Sequence, residues 1–161
     1  KRSILFRNAR TLLTALQGSG GTKATQAGNL NRAFVAKTME QLDLPAEIVQ
    51  DIQAVNKVIN EHDVWDLHIV RVILGLAGLL RKHSGMFKVI EKRSHLMEDE
   101  NAGALYQLLF LTFFRKFNLA YIDHMAEVPL LQQTIAVTLF MVSELMDDWV
   151  IVEDVAAALG L

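Results

Sequence analysis

The residues with the densest metal-binding chemistry lie close together near the middle of the chain: His62, Asp63, Asp66 and His68. A zinc site needs three or four such ligands converging at about 2 Å, commonly with histidines one helical turn apart. His62 and His68 are six positions apart, which does not place them on one helical face. We therefore interpret the group as solvated or locally hydrogen-bonded side chains, and we predict no metal and no other cofactor.

Catalytic chemistry has two weak matches in the sequence. Asp123 and His124 are adjacent, but neighbours on a helix point apart, and no serine or cysteine nucleophile pattern accompanies them. Residues 18–21 are rich in glycine, and Lys23 and Thr25 follow. This segment lacks the Gly-Lys-Ser/Thr core of a phosphate-binding loop, and no strand precedes it. We predict a non-enzymatic protein, with a hydrolase as a distant third interpretation.

The strongest polar feature of the sequence is basic and flanks the Ser84-Gly85 pair. Its candidate nucleic-acid contacts are Arg81, Lys82, Lys88, Lys92 and Arg93. Cations here could contact phosphates, but a solvent-facing hairpin also needs edge charges to resist strand pairing. The preceding helix offers few polar side chains, whereas a helix that reads a DNA groove needs an exposed polar face. Nucleic-acid binding is therefore the alternative and not the favoured function.

One stretch, residues 64–97, organises these side chains. Residues 64–80 are apolar apart from three polar residues and two glycines, which predicts a helix buried on most sides. Ser84-Gly85 fits a two-residue turn, so residues 80–90 predict a β-hairpin. Gly75 and Gly78 fall on one narrow stripe with His68 and Arg71. We expect another backbone to approach the helix closely at these glycines.

Apolar residues recur at helical spacing through most of the remaining chain. The predicted helices cover residues 4–17, 25–42, 45–60 and 102–123, with two more beginning at residues 129 and 153. Thr25 is predicted to cap the second helix, and residues 22–24 to form a short strand. The apolar seam of helix 45–60 consists of Ile48, Ile52, Val55 and Ile59. The helix that begins at residue 129 is predicted to face inward with Leu131, Ile135, Leu139, Val142 and Met146.

Five aromatic side chains share one face of the predicted helix 102–123: Phe110, Phe113, Phe114, Phe117 and Tyr121. Such a stripe is core or subunit interface more often than a cofactor site. These rings are too large and too many to face water, so they must bury against other helices or against a second copy of the chain. We predict a homodimer whose interface includes some of the C-terminal helices.

Composition limits the class of protein. The chain has 161 residues, 52% of them hydrophobic, with a net charge of −2 and no cysteine. This composition excludes general disorder and provides no overall basic field for nucleic acid. The central apolar helix is shorter than the ~20 residues of a membrane span and contains Arg71, so we predict no membrane partner. We expect a cytoplasmic protein. The Lys at position 1 suggests an excerpt, and residues 155–161 are predicted to be a helix that stops without a cap, so we expect a missing C-terminal continuation.

Two short segments carry a resemblance to known proteins. Residues 23–30, Lys-Ala-Thr-Gln-Ala-Gly-Asn-Leu, resemble a "strand, Thr, two residues, Gly, x, Leu" segment of winged-helix-like bacterial proteins of unknown function. Residues 77–82 followed by 87–89 resemble the passage from helix to wing in the same proteins. These usually have Thr and then Gly after the second strand, where this chain has Ile90 and Arg93. The resemblance implies a fold and carries no catalytic residues.

The predicted fold is mainly α: a winged-helix-like helical domain with a small β-hairpin, plus a C-terminal helical part. Residues 1–95 form the winged-helix-like part, with residues 45–60 as an extra helix, and residues 96–161 form the helical part packed on it. The function we predict is a non-enzymatic interaction or regulatory domain that uses this scaffold for protein contacts. Its partner is another protein or a second copy of the chain.

Overall fold

The computed structural model describes residues 3–145 and 151–158. These residues form seven α-helices and one three-stranded antiparallel sheet, which confirms the predicted mainly α fold with a small β-hairpin. The helices are α1 (Ile4–Gly18), α2 (Arg32–Met39), α3 (Ala46–Val55), α4 (Trp65–Leu76), α5 (Ala102–Arg115), α6 (Pro129–Leu145) and α7 (Val152–Ala158). The strands are β1 (Thr22–Lys23), β2 (Leu80–His83) and β3 (Met86–Val89).

The chain divides into two compact units, Lys1–Phe117 and Asn118–Leu161. The first contains α1 to α5 and the whole sheet, and the second contains α6 and α7. In the part of the chain that the structure describes, none of the helices combines the length and the apolarity needed to cross a bilayer.

The core of the first unit lies where α1, α4, α5 and the sheet meet. Each helix buries one apolar stripe, as helical periodicity requires. The stripes are Ala9, Leu12, Leu13 and Leu16 of α1; Leu67, Val70, Ile73 and Leu74 of α4; and Leu105 and Leu109 of α5. The sheet adds Leu80 and Phe87 from its inner face.

The hairpin between β2 and β3 turns at the two predicted residues. Ser84 has φ 49° and Gly85 has φ 72°, and positive φ at both central residues is the type I′ conformation that matches strand twist. Strand β1 pairs with β3, so the sheet order is β1-β3-β2. The first strand therefore completes the hairpin to a three-stranded sheet.

The helix predicted over residues 25–42 is shorter than expected. Helix α2 begins at Arg32, and its N-cap is Asn31, whose side-chain oxygen accepts the Phe34 N–H at 3.0 Å. The predicted cap, Thr25, instead accepts from the Asn29 N–H at 3.1 Å inside a turn. Gly28 in this turn has φ 85°, a conformation that cannot continue a right-handed helix.

The prediction that another backbone approaches closely at Gly75 and Gly78 was wrong, because the atoms nearest to a Cβ at Gly78 belong to the Arg93 side chain. Gly75 is exposed, and no heavy atom lies within 4 Å of where its Cβ would be. Helix α4 ends at Leu76, and Gly78 follows with φ 69°. The Leu79 N–H donates to the Leu74 carbonyl at 3.0 Å, and the Gly78 N–H to the Gly75 carbonyl at 3.0 Å. This is a Schellman C-cap, for which glycine is the preferred residue.

Two more predicted helices differ in their bounds or burial. Helix α5 ends at Arg115, and a separate 3₁₀ turn, Leu119–Asp123, follows after Asn118, which caps it by accepting the Ala120 N–H at 3.1 Å. Helix α3 buries none of its residues, and Val55 in its predicted seam is 81% exposed.

In α6, the predicted inward seam is not buried. Leu131 and Leu139 are exposed, and Ile135 and Val142 are half-buried. Met146 lies outside the described residues.

Candidate functional site

The most buried charged group of the described residues is the carboxylate of Glu61, which lies in the 3₁₀ turn Glu61–Asp63 just before α4. Its Oε2 accepts the Leu30 N–H at 2.5 Å. Its Oε1 lies 2.7 Å from His68 Nδ1 and accepts Arg71 Nε at 2.5 Å. The sequence analysis missed Glu61. The available signal was the pair His68 and Arg71, which stand three apart on α4 and therefore lie on one helical face, where they can share a partner.

Two opposing effects set the ionisation of Glu61. Burial alone disfavours the charged form and would raise its pKa. The hydrogen bonds from His68, from the Leu30 N–H and from Arg71, together with the positive charge of Arg71, outweigh burial and lower the pKa of Glu61 below its ordinary value. Glu61 is therefore a carboxylate at neutral pH, held as a structural anion.

Two rings pack against the His68 side of this cluster. The rings of His62 and His68 lie 4.2 Å apart, and Trp65 stacks on His68 at 5.2 Å. The two histidines are therefore adjacent in space, contrary to the sequence argument from their spacing, because His62 belongs to the 3₁₀ turn and not to α4. Asp66 is exposed, and the described residues contain no group of three His, Asp or Glu side chains placed to hold a metal ion.

The cluster joins separate parts of the first unit. Glu61 holds the backbone of the turn at Leu30, and the Arg71 guanidinium lies 5.3 Å from the centre of the Phe87 ring on β3. Glu61 therefore acts as a structural tie between the turn at Leu30 and helix α4.

The predicted basic residues of the hairpin divide into different environments. Arg81, Lys82 and Lys88 are exposed on the strands, and Lys92 is exposed in the 3₁₀ segment Glu91–Met97. Arg93 has a structural contact: its Nη1 donates to the Ala77 carbonyl at 2.7 Å, at the C-terminus of α4.

The predicted aromatic residues are not one uniform face. Phe117 is buried, Phe113 and Phe114 are half-buried, and Phe110 is 42% exposed. Tyr121 is half-buried in the 3₁₀ turn of the second unit and does not belong to α5.

On α5 itself, the rings follow one another along the helix. Phe110 lies 4.7 Å from Phe114 and 6.3 Å from Tyr106, centre to centre. Sequence analysis missed Tyr106, which is 46% exposed. Its position four residues before Phe110 is the signal that could have identified it.

Comparison with known proteins shows the family. Residues 1–102 match the family described as the Y4jL N-terminal domain. The chain belongs to this family. It is 35% identical over 80 residues to the uncharacterized protein y4jL of Sinorhizobium fredii (strain NBRC 101917 / NGR234). That alignment covers 50% of this chain and 36% of the relative, so the chain spans about a third of the relative's length. No solved structure matches.

These matches confirm the predicted relationship to bacterial proteins of unknown function.

Proposed function

We propose that this chain is a non-enzymatic interaction or regulatory domain that uses a winged-helix-like scaffold for protein contacts. We further propose that one partner is a second copy of the chain, which makes it a homodimer. A cytoplasmic location belongs to the same proposal, because the absence of cysteine suits a reducing compartment.

The order of elements supports the scaffold. Up to the end of the hairpin, the first unit runs α1, β1, α2, α3, α4, β2, β3, which is the order of a winged-helix domain with α3 inserted; α5 follows. Residues 1–95 are the proposed winged-helix-like part, residues 45–60 its extra helix, and residues 96–161 the helical part that follows. The inserted helix α3 buries none of its residues, as expected for an addition to a complete core.

The polar side chains of α4 argue against reading a DNA sequence. In the proposed scaffold, α4 is the helix that would enter the major groove. His68 is buried against Glu61, and Arg71 donates to the same carboxylate. Asp66, in the first turn, is exposed and would repel phosphate. The helix therefore offers no free cation to base edges, which favours protein contact over groove recognition.

One observation supports self-association: α5 exposes a run of large apolar side chains. Tyr106, Phe110 and Leu111 are 46%, 42% and 37% exposed. The rings of Tyr106, Phe110 and Phe114 follow one another along the helix, with centre-to-centre distances of 6.3 and 4.7 Å. A two-fold dimer brings the same patch of both copies together, so a single apolar face suffices to cover itself. Aromatic side chains are enriched at the centres of such interfaces.

Sedimentation equilibrium of the whole chain at micromolar concentration tests this proposal. We expect the unsubstituted protein to be a dimer and Phe110→Glu to be a monomer, because a charge at the centre of the interface would be buried unpaired. Val55→Glu is the matched control, since Val55 is 81% exposed on α3, away from α5.

The control variant should remain a dimer, and circular dichroism should show both variants folded. A monomeric unsubstituted protein, or a Phe110→Glu variant that still dimerises, would overturn the proposal.

A further inference from the structure

The register of the three-stranded sheet gathers basic side chains on one face. Arg81 and Lys88 are direct partners, and Lys23 and His83 are both partners of Met86. Residues directly opposite one another in a sheet point to the same side, and alternate residues along a strand do too. The outer face therefore consists of Lys23, Arg81, His83, Met86 and Lys88.

The opposite face of the sheet packs on the core except near the hairpin turn, where Lys82, the partner of Phe87, is exposed. Leu80 and Phe87 are buried, and both alternate with the outer residues along their strands. Lys23, Arg81 and Lys88 are all exposed. The outward direction of the basic face thus follows from the burial of the inner face.

The three cations of this face are not neutralised within the first unit. In the described part of the chain, carboxylates pair with Arg7, Arg10, His68 and Arg71, and none lies within ion-pair distance of the outer-face cations. The whole chain has a net charge of −2, whereas the outer face carries three cations and no acidic side chain. Positive charge is therefore concentrated on this face.

We propose that this outer face binds the phosphate backbone of duplex DNA without reading its sequence. Arg81 and Lys88 are direct cross-strand partners, whose Cβ atoms are about 5 Å apart, and Lys23 is the diagonal neighbour of Lys88 at about 7–8 Å. The three cations therefore form one compact cluster that can contact neighbouring phosphates of a polyanion. The turn next to them consists of Ser84 and Gly85, both exposed and small, so a backbone can approach closely. Hydroxyl groups and backbone N–H groups add further phosphate donors there.

Other polyanions fit this face less well. Anionic membranes attract clusters of about four to eight basic residues, usually beside apolar side chains that insert. Here Met86 is the apolar residue of the face, and it is half-buried. Single-stranded nucleic acid is held by exposed aromatic rings on which bases stack, whereas the aromatic residue of β3, Phe87, faces the core. Duplex phosphate requires neither feature.

This inference is independent of dimerisation through α5 and of the proposed regulatory role. It also differs from groove recognition, because Lys23 comes from β1 and no residue of α4 takes part. With three phosphate contacts, the logarithm of the binding constant should fall against the logarithm of salt concentration with a slope of about −2.7. Dissociation constants at physiological salt should lie between about 10⁻⁴ and 10⁻⁶ M, the range of non-specific binding.

Fluorescence anisotropy of the full chain with a labelled duplex of mixed sequence, between about 50 and 200 mM salt, tests the inference. The test variant is Lys23→Glu with Lys88→Glu. The matched control is Lys37→Glu with Lys57→Glu, which changes the net charge equally at two exposed lysines outside the sheet. We expect the test variant to bind at least about tenfold more weakly with a salt slope about two units shallower, and the control to bind within about twofold of the unsubstituted protein.

The Lys88 side chain packs close to Gly21, so its substitution could disturb folding. A second variant therefore distinguishes loss of binding from misfolding. Lys23→Ser with Arg81→Ser removes two outer-face charges and leaves Lys88 in place, and it should show the same direction of change. Absence of duplex binding, equal losses in test and control variants, or binding to phosphatidylserine vesicles with none to the duplex would each overturn the inference.

Discussion

Arg71 Nε lies 2.5 Å from Oε1 of Glu61, whose side chain is completely shielded from solvent. A carboxylate taken out of water is strongly unfavourable unless a charge and hydrogen bonds replace the water. Here Arg71, His68 and the Leu30 N–H provide that replacement. The pair therefore requires the turn at Leu30 and helix α4 to be in place together, which ties two parts of the first unit to one buried charge.

Glu61→Gln should destabilise the protein strongly. The amide keeps the shape of the side chain but removes the negative charge that balances Arg71. Removing one partner of a buried ion pair typically lowers the free energy of unfolding by about 3–5 kcal/mol. We expect a value of about 3 kcal/mol, because the Arg71 side chain is 16% exposed and can be partly solvated. Urea unfolding at neutral pH measures the difference.

Asp43→Asn is the matched control for this substitution. Asp43 pairs with Arg7 on the surface, where their side chains are 47% and 42% exposed. An exposed ion pair contributes about 0–1 kcal/mol, so the control should lose far less stability than Glu61→Gln. Equal losses in the two variants would contradict the structural role assigned to Glu61.

The stabilisation from Glu61 should depend on pH in a defined direction. The pKa of Glu61 is lower in the folded protein than its ordinary value of 4.5. A group with a depressed folded pKa stabilises fully above its unfolded pKa, and this contribution is lost as the pH falls through the folded pKa. The difference in unfolding free energy between the unsubstituted protein and Glu61→Gln should therefore be constant above the ordinary carboxyl range.

Below that range the same difference should shrink. Urea unfolding of both proteins from neutral to acidic pH measures it, and the other carboxyl groups, common to both proteins, largely cancel in the comparison. A difference that stays constant into acid would show that the charge of Glu61 contributes nothing.

Gly75→Ala and Gly78→Ala should change stability in opposite directions. Gly75 is an exposed helical residue with open space at its Cβ position, so alanine should raise the free energy of unfolding by up to about 1 kcal/mol. Gly78 has φ 69°, and a Cβ there would lie 3.3 Å from the Arg93 guanidinium. Alanine should lower stability by about 1–2 kcal/mol, the penalty of a left-handed L-residue.

Thermal and urea unfolding of the two alanine variants make this comparison, and each variant serves as the control for the other. Equal effects of the same sign at both positions would contradict the assignment of Gly78 as a helix C-cap.

Short-range patterns in the sequence determined the class of fold and several of its elements. The apolar spacing of α1 and the Ser84-Gly85 turn depend on residues a few positions apart, and both match the structure. Local patterns failed where two local signals competed. Thr25 and Asn31 are both suitable caps, and the positive φ of Gly28 decides between them in favour of Asn31.

Only the tertiary structure decided which polar residues act together. Glu61 stands in the polar run Asn60-Glu61-His62-Asp63, which has the composition of a solvated turn. Its burial depends on Leu30, 31 positions away. Lys23 joins Arg81 and Lys88 on one face because β1 pairs with β3, a contact between residues about 60 positions apart in the chain. Periodicity within one element specifies which face is apolar, but contacts between distant elements specify which charges that face brings together or buries.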